Sequence, residues 1–130
     1  MIVITVDILK ALKCDECGKV LERLYCTGKK NCEVTCCGKK MHLLEANISD
    51  ASKEKHTPVY EICDDEIIVR VPHVMEKEHF ISWIALVKEN KKIIVELYPE
   101  QECIVHFPYL KDSTIYSYCN KHGLWSCDVN

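Results

Sequence analysis

Apolar residues in the second half of the chain fall into short runs separated by polar or proline-containing turns. The runs are "PVYEI", "EIIVRV", "HFISWIALV", "KKIIVELY", "ECIVHF" and "TIYSY", between residues 58 and 118. They are dense in Val, Ile, Tyr, Phe and Trp, which suit a pleated, half-buried surface. Short β-rich runs punctuated this regularly predict an antiparallel sandwich or barrel. "KENK", residues 88–91, reads as a hairpin turn between the third and fourth runs. "HFISWIALV" also fits a helical face through Phe80, Ile84 and Val87, but its β-branched and aromatic density and its flanking strands favour a strand. Upstream, "EANISDASKEKH", residues 45–56, has no apolar periodicity and reads as a linker or surface loop. The chain shows no internal repeat and no low-complexity segment.

A chain of 130 residues holds one ordinary domain, or a small domain beside a tiny one. No run approaches the ~18 apolar residues of a membrane span. The start, "MIVITVDILK", lacks the charged segment and cleavage site of a signal peptide. The expectation is a cytoplasmic protein with no membrane partner. A net charge of −3 argues against a nucleic-acid partner, because such proteins carry a basic face.

Ten cysteines change the picture. In a secreted chain they would make a disulfide framework; without a leader they read as metal ligands and free buried thiols. Cys14 and Cys17 form C-x-x-C in "KCDECGK", with Gly18 relieving the turn behind them. Cys36 and Cys37 are adjacent in "TCCGKKM". Four thiolates make a closed tetrahedral site suited to zinc or iron. Consecutive side chains diverge, so this tetrahedron should be distorted. Cys26 and Cys32 lie between the pairs, and either could replace a ligand. A structural zinc clip for a segment too short to build its own core is the alternative.

Of six histidines, His56, His73 and His79 lie in polar contexts at the edges of expected strands. Loops at strand ends are where a sandwich puts its binding groups. "YCNKHGLW", residues 118–125, adds Cys119 and His122. Singly, a histidine is more often a surface or core residue, and a cysteine near a C-terminus a small buried apolar group. Together the five would meet at one end of the sandwich. Several imidazoles with one thiolate suit a redox iron or copper better than a structural zinc.

The pieces "KCDECGK", "TCCGKKM", "KEKHTPV", "HVMEKEHFISWI" and "YCNKHGLW" occur in the order and with the separations of one family. From about residue 12 to residue 126 the chain resembles desulfoferrodoxin, the two-iron form of superoxide reductase. The resemblance implies a desulforedoxin-like iron-binding domain over residues 1–42. It implies an immunoglobulin-like seven-stranded antiparallel sandwich, the catalytic domain, over residues 43–130. Cys14, Cys17, Cys36 and Cys37 match the ligands of the small tetrahedral iron. His56, His73, His79 and His122 match four equatorial imidazoles of the catalytic iron, and Cys119 its axial thiolate, with the sixth position open. Glu54 matches the carboxylate that takes that position when the iron is oxidised. Lys55 matches the cation that attracts the anionic substrate and orients the solvent that supplies protons.

The same resemblance implies superoxide as substrate, hydrogen peroxide as product, two mononuclear iron ions per chain, a rubredoxin-like electron donor and a homodimer. Two other classes compete: an iron protein that only passes electrons, and a zinc-bound interaction module. The family's proline after the second histidine is Val74 here, and the spacer between the cysteine pairs is longer. Cys63, Cys103 and Cys127 match nothing and default to buried or free thiols. His42 reads as a surface residue beside the small domain. His106 alternates with Cys103, Val105 and Phe107 and so faces away from them.

Overall fold

Where the sequence alternates, the chain is a strand with one face inward. In a computed structural model describing residues 9–23, 33–89 and 91–130, Glu66–Arg70 places Ile67 and Val69 in the core and Glu66 and Arg70 in solvent. Cys26, Cys32 and Asn90 of the "KENK" turn lie outside the described residues. The chain divides into two units, Leu9–Glu45 and one containing Ala46–Asn130.

In the first unit, β1 (Ala11–Lys13) pairs antiparallel with β2 (Val20–Glu22) on one side and β5 (His42–Leu43) on the other. A hairpin of β3 (Thr35–Cys36) and β4 (Lys39–Lys40) supplies the remaining pairing. Leu12, Cys14 and Met41 form its core, with Leu21, Val34 and Cys36 partly buried against them. A unit of this length sits below the ~40 residues at which a hydrophobic core alone begins to suffice. Every described cysteine is a free thiol, so no disulfide among them makes up the deficit. The unit runs past residue 42 because β5 belongs to it: Leu43 pairs with Leu12, and Leu44 N donates to Ala11 O at 2.8 Å. His42 is therefore part of this unit's own sheet. It is half exposed, with Nδ1 3.2 Å from Asp15 Oδ2.

The second unit begins with α1 (Lys53–His56), a single turn inside the stretch expected to be loop. It stops at His56 because Pro58 follows: Thr57 is extended, at φ −71° and ψ 127°, as a residue before proline is driven to be. Seven strands come next: β6 (Val59–Cys63), β7 (Glu66–Arg70), β8 (Ile81–Lys88), β9 (Lys91–Glu96), β10 (Ile104–Pro108), β11 (Thr114–Cys119) and β12 (Gly123–Asp128). They form two antiparallel sheets, β10-β7-β6 and β12-β11-β8-β9, the two layers of an immunoglobulin-like sandwich.

The first six of these strands coincide with the six apolar runs. β8 lies between β11 and β9 and is buried on both faces from Ile84 to Val87. Its apolar residues are therefore continuous, which is why its periodicity alone also admitted a helix. The core between the sheets is built on Ile67, Val69, Ile84, Leu86, Phe107 and Ile115. On β10, Val105 and Phe107 point inward with Cys103 on the same side, while His106 points out towards Glu66. Cys103 and Cys127 pack against the core, and burial pushes both thiols up to about 11. Cys63, at the β6–β7 turn, is exposed.

Strand direction decides where the site can form. The pair Val59↔Arg70 puts the start of β6 and the end of β7 together. The pairs Cys119↔Ile81 and Cys119↔Gly123 do the same for the start of β8 and the β11–β12 turn. The contacts of His56 with Ser117 and His122 bring these ends of the two sheets together. That end carries α1, the β7–β8 loop and the Asn120–His122 turn.

Candidate metal centres

His56 ends α1, and both its backbone and its ring are fixed. The buried Ser117 hydroxyl of β11 donates to His56 O at 2.9 Å. His56 Nδ1 lies 2.7 Å from Ser52 O, and a carbonyl only accepts, so Nδ1 carries the proton and Nε2 keeps its lone pair. Trp125 stacks on the ring at 5.0 Å and 22°. His73 is set the same way, with Nδ1 2.5 Å from Val74 O. Proline also offers that carbonyl, so valine in its place leaves the bond intact. Cys119 ends β11, where the pairing with β8 slips between Tyr118 and Cys119. Such a bulge re-aims a side chain. His122 follows in the turn closed by Gly123, whose φ of +85° suits glycine.

The four imidazoles form a closed ring. Successive edge-to-face contacts run His56–His73 at 4.7 Å, His73–His79 at 4.6 Å, His79–His122 at 5.0 Å and His122–His56 at 4.9 Å. The donor atoms converge: His56 Nε2 is 3.0 Å from His122 Nδ1, and Cys119 Sγ is 3.4 Å from His73 Nε2 and 3.7 Å from His122 Nδ1. One atom from each of the five lies within 4.8 Å of all the others. Two nitrogens bound at ~2.1 Å to one metal and at right angles to each other lie ~3.0 Å apart, the spacing of His56 Nε2 and His122 Nδ1. His79 Nε2 is buried with no hydrogen-bond partner among the described residues. A buried imidazole nitrogen left this way is what a metal ligand looks like without its metal. His73 and His122 both have lowered pKa values, first through burial and then through the facing imidazoles. That favours the neutral form, which ligates.

Beside this group lies a cavity of about 460 Å³ whose wall includes Lys55, Glu76 and all four histidines. Lys55 thus stands at the site. Glu54 is exposed on α1 and is not part of the wall. Glu76 is, and no sequence motif had singled it out.

In the first unit, Cys14, Cys17, Cys36 and Cys37 place their sulfurs within 4.8 Å of one another. Gly18 N donates to Cys14 O at 2.9 Å with Gly18 at φ +78°, closing the C-x-x-C knuckle. Cys37 and Gly38, at φ +54° and +73°, are the two positive-φ positions of a tight hairpin turn between β3 and β4. That turn resolves the difficulty of adjacent cysteines, because a left-handed Cys37 swings its thiol to 3.9 Å from Cys36 Sγ. Cys17 Sγ lies 3.7 Å from Cys36 Sγ. A tetrahedron with ~2.3 Å metal–sulfur bonds has edges of ~3.8 Å. The thiols already titrate apart. The Cys17 backbone N–H helps to pull Cys14 down to about 7, while hydrogen bonding to Cys14 and then Cys17 pushes Cys36 up to about 12. A cation among the sulfurs would reverse that mutual opposition.

Fold and donor sets together define a metal-binding protein on an immunoglobulin-like sandwich. Comparison with known proteins narrows this. The family model described as Desulfoferrodoxin matches residues 48–128. A desulfoferrodoxin from Syntrophotalea carbinolica is 43% identical, over 92% of this chain and 96% of its own. The crystal structure of the superoxide reductase from Treponema pallidum superposes with a TM-score of 0.70 at 27% identity, covering 92% of this chain and 98% of its own. A superoxide reductase (1Fe-SOR) from Giardia intestinalis gives 0.52 at 25% identity, covering 60% of this chain and 99% of that one. The chain belongs to the desulfoferrodoxin family.

The sequence had named all nine donors that the structure groups. It had not named their supports. Ser52 and Val74 act through backbone carbonyls, which any residue possesses. Ser117 and Trp125 look like ordinary strand residues.

Proposed function

We propose that this chain is a superoxide reductase, converting superoxide, one electron and two protons into hydrogen peroxide. The observation that carries it is the ring of four imidazoles with one thiolate, facing a cavity that Lys55 also lines. His56, His73, His79, His122 and Cys119 would hold one iron. Cys14, Cys17, Cys36 and Cys37 would hold a second, giving two per chain. A ferrous ion held there would supply the electron, and the Cys119 thiolate would raise the electron density at it. One donor group lies in each unit, which supports reading Leu9–Glu45 as the desulforedoxin-like domain and Ala46–Asn130 as the catalytic one. A homodimer in the cytoplasm, reduced by a rubredoxin-like donor, completes the reading.

Lys55 is the cation of the entrance. The chain is net acidic, yet the substrate is an anion, so local positive charge must offset the overall field. The ammonium also orients solvent that delivers protons to the reduced substrate. Glu54, exposed on α1 beside Lys55, would be the carboxylate that reaches the metal when it is oxidised. Lys55→Ala should slow the second-order reaction with superoxide by roughly tenfold, within the range of electrostatic focusing. It should also flatten the fall of rate with salt, because screening acts on the charge removed. Glu54→Ala should alter the ferric visible spectrum and leave the rate nearly unchanged. Pulse-radiolysis rates across a salt series test the contrast. A Lys55→Ala protein matching wild type in rate and salt slope would show that steering comes from elsewhere.

A further inference from the structure

Three of the four imidazoles and the thiolate have an evident means of being aimed; His79 does not. His56 and His73 each give Nδ1–H to a carbonyl, and Cys119 and His122 are set by one tight turn, which Cys119 opens and which contains His122. The ring of His79 has no such bond, and its Nε2 is unpartnered among the described residues. Beyond its edge-to-face contacts with His73 and His122, its placement comes from its backbone. Part of that is local: Glu76 N donates to His79 O at 3.0 Å, and His79 N donates to Glu76 O at 3.2 Å. This closes a small loop on itself, and Glu100 N, donating to Met75 O at 2.7 Å, holds its first end, but neither bond holds the residues on either side of His79.

Asn120 supplies the tie. Its side chain bonds the residues on both sides of His79: Nδ2 donates to Glu78 O at 2.9 Å, and Oδ1 accepts from Phe80 N at 3.0 Å. Its own backbone N donates to Phe80 O at 3.2 Å. Asn120 also lies between Cys119 and His122 in the chain. One amide therefore couples the turn carrying two donors to the loop carrying a third. Only a carboxamide offers a donor and an acceptor at that spacing.

We propose that Asn120 is the positioning residue for His79, holding its imidazole in the ring by clamping the backbone at 78 and 80. The proposal rests on the reading of the five residues as a metal centre. Asn120→Ala should weaken iron binding at that site by ~10–100-fold, the usual cost of losing an outer partner of a metal ligand. Asn120→Asp keeps the acceptor for Phe80 N and loses the donor to Glu78 O, so it should fall between. Asn47 provides the control. It makes two comparable side-chain bonds, to Ser126 Oγ and from Ser126 N, both 3.0 Å, and no part of the site uses it. Asn47→Ala should lower the melting temperature without changing iron affinity.

The deciding experiment is a double-mutant cycle with His79→Ala. The full-length chain is loaded anaerobically with Fe(II) against a graded chelator. After equilibration, each sample is freed of chelator and oxidised by one electron per iron with ferricyanide, and the five-donor site is read through its single-thiolate ferric absorption. If Asn120 acts through His79, Asn120→Ala costs nothing further once His79 is alanine. An equal loss in both backgrounds, no loss at all, or the same loss from Asn47→Ala overturns the proposal. If the wild-type chain binds no iron at these residues, the metal-centre reading fails with it. If wild type binds and Asn120→Ala binds equally, only the role of Asn120 fails.

Discussion

Cys119→Ser should give a protein that keeps its four imidazoles together yet loses the thiolate-to-metal absorption of the catalytic centre. Its rate with superoxide should fall by at least about 100-fold, the upper end of what losing even an outer partner costs a metal site. Serine preserves the shape and removes the charge. A neutral hydroxyl cannot push electron density onto the metal as a thiolate does. The site is also fully buried in the main core, so the hydroxyl should cost about 1–3 kcal/mol if it finds no partner. The two effects separate experimentally. Thermal unfolding reads the packing, and the visible band with the rate reads the ligand. A variant that retains band and activity would exclude Cys119 as a ligand and would undo the function proposed above.

The second large effect is expected in the other unit. Cys36→Ser removes a sulfur lying 3.7 Å from Cys17 Sγ and 3.9 Å from Cys37 Sγ. The unit's core is built on Leu12, Cys14 and Met41, and its described cysteines form no disulfide. A structural metal site of this kind contributes on the order of 10 kcal/mol to folding, far more than such a core. The variant should carry one iron fewer per chain, and residues 9–23 and 33–45 should lose hydrogen-exchange protection. Residues 46–130 should keep both their protection and the five-donor absorption, because they possess their own core. Unchanged iron content would identify Cys26 or Cys32 as the fourth ligand.

Much of this protein could be read before it was seen. Six strands announced themselves because half-buried strands alternate and buried ones are β-branched and aromatic. β12 did not, because Gly123 and Ser126 interrupt its apolar residues and its burial comes from pairing with β11. α1 was read as loop because one turn is too short to show a period. Its end is set by Pro58 behind it, and its last carbonyl is held by Ser117, a contact across 61 positions. The metal donors were legible because cysteine and histidine carry their chemistry in their side chains. What aims them was not, since it consists mainly of backbone carbonyls, a strand slip and an asparagine whose partners lie 40 and 42 positions away.

The two buried thiols take on a new meaning beside a site that makes hydrogen peroxide. Peroxide attacks the thiolate rather than the thiol, and the damage can run on to irreversible acids. Burial, full for Cys103 and partial for Cys127, pushes both up to about 11, so at neutral pH both stay in the thiol form. The sandwich core that gives the sheets their stability thus also keeps these two sulfurs in the form that peroxide attacks least, while Cys63, exposed at the β6–β7 turn, has no such cover.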